Sequence, residues 1–262
     1  MSAQRQRWQL RIGRHAFDVR WWLLALAMAG IAVRLGLWQM DRAALKESLQ
    51  RHYFDRLAMT PIPCAGLWTL TDPAFTRVTL TGRFVPGREY LWDNRTYQGR
   101  AGYEVLTPFT CNDGAQLLVD RGWIATGDDR ARLPRWNTPT APLNLVGFVF
   151  VPAMGATWLQ STARGDWATN WPKRIGRLDI QRIAEDQSAS SGQAAAATPA
   201  HQTYRYPVIV DGGGSGAFAY NFEPASISPT RNRGYVVQWF ALAAGILGYL
   251  GYRSWQRLPA QR

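Results

Sequence analysis

Two stretches, Trp21 to Trp38 and Tyr235 to Tyr252, are each about 18 residues long and almost free of charge, close to the ~20 that a helix needs to cross hydrocarbon. Arg34 alone interrupts them. Backbone in lipid must satisfy its own hydrogen bonds, so each stretch is expected to be a transmembrane helix. The segment between them, roughly Asp41 to Arg233, is polar, aromatic and rich in Gly and Pro, with no other apolar run of that length. It is expected to fold in water. The expected fold class is therefore a membrane protein of α+β type, with two transmembrane helices (21–38 and 234–252) flanking a mostly antiparallel β exported domain (39–233). A basic N-terminus (1–20) and a short tail (253–262) complete the expected organisation.

Charge sets the expected orientation. Arg5, Arg7, Arg11, Arg14 and Arg20 precede the first apolar run, and Arg253, Arg257 and Arg262 follow the second. Positive-inside bias makes both termini cytoplasmic and the central domain periplasmic, in a multi-pass protein of a bacterial inner membrane. A cleaved signal peptide is the competing reading, because Ala27-Met28-Ala29 looks like a cleavage site. The apolar run continues well past that point, and the Arg-rich lead is too short and serine-poor for a mitochondrial presequence. The net charge of +12 would suggest nucleic acid for a soluble chain. For an exported domain the expected counter-charges are anionic lipids and acidic membrane-protein surfaces.

Past the first span, Leu37 to Tyr53 lacks Gly and Pro and should continue the helix into the exported space. Arg34, Trp38, Arg42 and Lys46 recur every four residues, so they form one basic stripe with an aromatic in it. Arg34 can snorkel outward to lipid phosphate or meet a protein or ligand. The second span carries Ala241, Ala244, Gly245 and Gly248 on one face, and the first carries Ala25, Ala29 and Ala32. Both suit close packing, either on each other or on a larger membrane protein. Strands are expected at Arg77–Val85, Glu89–Asp93, Tyr103–Thr110, Gln116–Trp123, Leu143–Val151 and Tyr206–Val210, with a short one at Phe218–Phe222. Gly87 and Asn112-Asp113-Gly114 supply turns, and the alternation fits an antiparallel sheet or partly closed barrel. Leu178–Asp186 reads as a short helix and 188–202, rich in Ser, Ala, Gly and Gln, as a flexible insertion.

Catalytic signatures are missing from this pattern. There is no P-loop, G-x-S-x-G, H-E-x-x-H or paired Cys/His metal spacing. The three histidines are scattered; His15 and His52 each precede an aspartate by three residues, a spacing that suits surface hydrogen bonding. The acid pairs Asp128-Asp129 and Glu185-Asp186 read as solvated surface. Cys64 and Cys111, the two cysteines, fit either a disulfide in an oxidising compartment or two separate buried thiols. No metal site is expected. The chain reads as a binding or assembly protein and not an enzyme.

Three groups of motifs carry a resemblance. Gly36-Leu37-Trp38-Gln39-Met40-Asp41-Arg42 with Lys46 stands at the exit of the first span. Gly82-Arg83-Phe84, Asn94-Arg95, Gly99 to Gly102-Tyr103, Leu106-Thr107-Pro108, Gly114, Leu118-Val119 and Arg121-Gly122-Trp123 follow in order. Tyr235 and Gln238-Trp239-Phe240 open the second span. Read together they resemble the Surfeit locus protein 1 family, membrane-anchored assembly factors for haem-copper cytochrome oxidase.

The resemblance implies an assembly factor for cytochrome c oxidase that helps haem insertion and maturation of the catalytic subunit by binding. It implies as partners cytochrome oxidase subunit I or its assembly intermediates. No permanently bound cofactor is expected, with haem a as a transient cargo. Two alternatives stand beside this: a haem a carrier, and a stable accessory subunit of a respiratory complex. Family members commonly carry a histidine three residues before the tyrosine of the last motif, tied in bacterial members to haem a; here that position is Asn232, a poor ligand for haem iron. The candidate partner or haem platform comprises Arg34, Trp38, Gln39, Arg42, Lys46, Arg83, Arg95, Arg121, Trp123, Asn232, Tyr235 and Trp239. Its guanidinium forks and aromatics suit carboxylates. The plainer alternative makes the tryptophans interface or core residues and the sheet arginines loop anchors.

Overall fold

The computed structural model describes residues 9–12, 15–127, 130, 132–152, 167, 170–191, 203–214, 216–223 and 229–256. It separates into two compact units, Met1–Arg51 with Pro224–Arg262, and His52–Glu223.

In the first unit, β1 (Gln9–Ile12) and β2 (His15–Asp18) form an antiparallel hairpin ahead of α1 (Val19–Leu57), and α3 (Pro229–Gln256) is the second long helix. The hairpin was not expected; four-residue strands leave too little alternation to recognise. It also places His15 and Asp18 on a strand, so their helical pairing does not occur. α1 contains no proline, and α3 takes Pro229 at its first position, where a missing N–H is harmless. Both helices are long and apolar enough to cross a membrane, and only 22% and 6% of their most apolar stretches is buried in the protein. A core helix of a water-soluble domain would be mostly covered; these expose Leu23, Leu26, Ile31, Val237 and Leu242. That exposure fits a membrane protein.

The second unit is β-rich. Its sheet runs β3 (Ile62–Pro63), β4 (Arg77–Phe84), β8 (Leu143–Val149), β10 (Val208–Val210), β7 (Gln116–Ala125), β6 (Arg100–Cys111), β5 (Tyr90–Tyr97), β9 (Lys173–Ile175). β4 also pairs with β6 across Gly82–Cys111 and Phe84–Phe109, so β4, β8, β10, β7 and β6 close into a five-stranded barrel. Closure gives these five strands neighbours on both sides, while the short strands β3 and β9 form the outer edges of the sheet. Most pairs are antiparallel; β3–β4, β5–β9 and β10–β7 are parallel. Expected strands and observed ones agree to a few residues for β4, β6, β7 and β8. At Phe218–Phe222 the expected strand is reduced to a single bridge, Ala219 to Trp123, because Phe218 and Ala219 alone meet that edge.

One side of the barrel wall buries Val78, Leu80, Phe109, Leu117, Val119, Leu145 and Val208. α2 (Ile180–Ser191) lays Ile183 against Tyr90, Trp92, Leu106, Leu118 and Ile175 as a second core layer. This helix runs into the stretch expected to be a flexible insertion; 192–202 lies outside the described residues, as does Asp128-Asp129. Glu185 is exposed, but Asp186 is not solvated surface: it pairs with the buried Lys173 and accepts from the Tyr90 hydroxyl. The last turns of α1 belong to this unit. Tyr53 inserts among Phe75, Phe148 and Phe222 and shares a 2.9 Å hydrogen bond with the Tyr220 hydroxyl. His52 lies 3.7 Å from Asp72, which also holds Arg56 at 2.7 Å, in place of the expected Asp55. Cys64 and Cys111 form a disulfide that ties the 3₁₀ turn Cys64–Thr69 to the end of β6.

Candidate functional site

In the first unit the two helices meet through small residues. Ala29 and Ala32 of α1 are buried against Ala243, Trp239 and Leu247 of α3, and a Cβ at Gly36 would come within 3.2 Å of the Phe240 ring. Backbones approach closely where side chains are this small. The α1 face is the expected one. The α3 face is not: Ala241, Ala244, Gly245 and Gly248 are exposed, and the helix is turned so that Ala243 faces its neighbour. Trp239 and Leu247 pack beside Ala243 in that contact, so the small-residue face of α3 stays open for a further membrane partner.

Just beyond the Gly36–Phe240 contact the helices hold a polar lock. Asn232 donates from Nδ2 to Gln39 Oε1 at 2.6 Å, and Lys46 donates from Nζ to Asn232 Oδ1 at 2.8 Å. Both ends of the Asn232 amide are thus engaged. Arg42 lies over the Trp38 ring at 5.7 Å, and Arg233 pairs with Glu47 at 2.7 Å. Around this lock opens a pocket of about 540 Å³ lined by Trp38, Gln39, Arg42, Lys46, Arg231, Asn232 and Tyr235. None of these lining residues is a carboxylate. Three cations beside the N-terminal turn of α3, whose backbone dipole is positive, make the pocket strongly attractive to an anion.

Six of the twelve expected site residues therefore converge here: Trp38, Gln39, Arg42, Lys46, Asn232 and Tyr235. Arg34 is exposed one turn back along α1 and does not line the pocket; Trp239 lies in the helix contact. Arg231 was missed. Its signal was available, since Arg231 and Arg233 stand directly before the second apolar run, as Arg42 and Lys46 stand after the first.

The remaining four belong to the second unit, where the packing gives them structural duties. Arg83 is exposed on β4. Arg121 is 1% exposed; its guanidinium donates to Gly216 O, Asn137 O and the Thr138 hydroxyl, and stacks between Phe84 and Phe218 at 4.9 and 4.6 Å. Burial lowers its pKa to about 10, opposed by the nearby Glu89, so it stays charged at neutral pH. Gly122 adopts φ +103°, and a Cβ there would meet Ala219 O at 2.6 Å. The Trp123 ring lies on Gly102, where a Cβ would stand 2.3 Å from it, and its Nε1 donates to Arg95 O. The Arg-Gly-Trp motif is thus a brace for the barrel.

Arg95 stacks on Trp92 at 4.2 Å and pairs with Glu104 at 3.0 Å. Glu104 and Asp120 are both buried beside irregularities in the β5–β6 and β6–β7 registers. Burial raises the pKa of each; the Arg95 charge opposes the rise at Glu104, and the Glu104 charge adds to it at Asp120.

Residues 26–244 match the SURF1 family. The chain is 35% identical over 106 residues to the cytochrome oxidase assembly protein SHY1 of Saccharomyces cerevisiae, covering 39% of this chain and 27% of that protein. It is 28% identical over 268 residues to an uncharacterized SURF1-like protein of Mycobacterium bovis, covering 95% of this chain and 89% of the relative. A SURF1-like protein of Dictyostelium discoideum is 31% identical over 106 residues, 37% of this chain and 39% of its own length.

Proposed function

This chain belongs to the SURF1 family, and from that premise we propose that it is an assembly factor for haem-copper cytochrome c oxidase. It assists haem insertion and maturation of the catalytic subunit, and it acts by binding. The observation that carries this reading is the pocket between α1 and α3, with its three cations, two aromatics and no lining carboxylate. Such a pocket suits the carboxylates of a haem-bearing partner, which guanidinium groups hold by charge-assisted hydrogen bonds.

The residues fit haem in one respect and fail in another. Arg42, Lys46 and Arg231 match the propionate edge of a haem. Asn232, at the position where family members commonly carry histidine, is no axial ligand, and both ends of its amide are already hydrogen-bonded. Haem therefore enters this account as cargo held by its edge, and not as a cofactor ligated by this residue. In the topology that completes the proposal, both termini are cytoplasmic in a bacterial inner membrane and the β-rich unit is periplasmic. The partner is subunit I or one of its assembly intermediates.

Affinity purification of the tagged full-length protein, with identification of partners, tests the reading. Immature forms of subunit I should be enriched over mature oxidase. Stoichiometric recovery with active oxidase would make the protein an accessory subunit instead.

A further inference from the structure

We propose that the pocket between α1 and α3 holds the phosphodiester headgroup of an anionic phospholipid, as its resident ligand while no partner is engaged. This deepens the reading above, because it names a ligand for the same pocket. The first observation is charge: Arg42, Lys46 and Arg231 line the pocket and no lining residue opposes them. The second is depth. Trp38 ends the first apolar run and Tyr235 begins the second, so the pocket stands where a span leaves hydrocarbon and phosphates begin. The third is what lies beside it on the span side. Leu37 and Val237 are exposed, 45% and 69%, so a ligand anchored by its head finds apolar helix surface along which acyl chains can lie.

The fourth concerns the lock. Asn232 cannot turn toward a metal without releasing Gln39 or Lys46, whereas in its present state it orients the Lys46 ammonium at the pocket. A phosphate needs donors and no metal ligand, and donors are what the pocket supplies. A polybasic site at the membrane surface gains from each cation near an anionic headgroup.

The test uses full-length protein purified in mild detergent and reconstituted into nanodiscs of phosphatidylcholine with phosphatidylglycerol, read by native mass spectrometry after release. The expected result is retention of phosphatidylglycerol in preference to phosphatidylcholine. The triple variant Arg42→Gln, Lys46→Gln, Arg231→Gln should weaken that retention about a hundredfold. A control removing two exposed cations of the β-rich unit, Arg100→Gln with Arg177→Gln, should leave it unchanged. If the triple variant does not fold, Asn232→Asp serves: it keeps an acceptor for Lys46, adds a carboxylate to the pocket, and should also lower retention. Equal retention of both lipids, equal retention by Asn232→Asp and the native chain, or a Soret-absorbing haem in place of lipid would each overturn the proposal. Failure here with normal enrichment of subunit I intermediates would leave the assembly reading standing. Retained lipid in a protein whose loss leaves the oxidase intact would remove that reading and keep this one.

Discussion

Arg121 keeps its charge inside the barrel because every face of the guanidinium is occupied, by carbonyl and hydroxyl acceptors at its edge and by Phe84 and Phe218 on its flanks. Lysine has neither the flat surface nor the fork. Arg121→Lys should lower unfolding stability by about 2–3 kcal/mol, measured by denaturant titration of the full-length protein. The Glu104–Asp120 pair makes a pH prediction. Folded pKa values raised by burial mean that the stability linked to these carboxyls is complete below their ordinary values, 3.8 and 4.5. That contribution is lost as pH rises through the folded values. Asp120→Asn should remove much of this loss, so its melting temperature relative to the native protein should rise with pH. At this scale the sequence was partly legible. Arg121-Gly122-Trp123 stood out as a motif, but its partners at Thr138, Gly216 and Ala219 lie 17 to 96 positions away in the chain, and only the barrel brings them together.

Among the elements, the long ones were readable and the short ones were not. β4 alternates buried and open positions in the way a half-covered strand must, and α1 continues past the span because nothing in Leu37–Tyr53 breaks a helix. β3, β9 and the β1–β2 hairpin have two to four residues each and no periodicity to detect. The small-residue face of α3 does not pack on α1, which removes the first of its two readings and leaves docking onto a larger membrane protein open. The disulfide ties two elements 47 positions apart. Replacing both Cys64 and Cys111 by serine should lower stability by about 2–4 kcal/mol, read by thermal unfolding under non-reducing conditions. In dithiothreitol the native protein should approach the variant.

For the molecule as a whole, the stripe of α1 and the opening residues of the second span each pointed to one place, and in the structure they share a pocket. What could not be read was the convergence itself, because the distance between positions 46 and 232 is a property of helix packing. The central claim is that this pocket serves maturation of the haem-bearing subunit of cytochrome c oxidase. Its most direct test is a strain lacking the gene, complemented with either the native chain or the Arg42→Gln, Lys46→Gln, Arg231→Gln variant, with the haem a absorption of membranes measured at matched protein levels. Loss of the gene should lower the haem a signal of the oxidase, the native chain should restore it, and the variant should not. Full restoration by the variant, or an unchanged oxidase spectrum in the deletion strain, would contradict that claim.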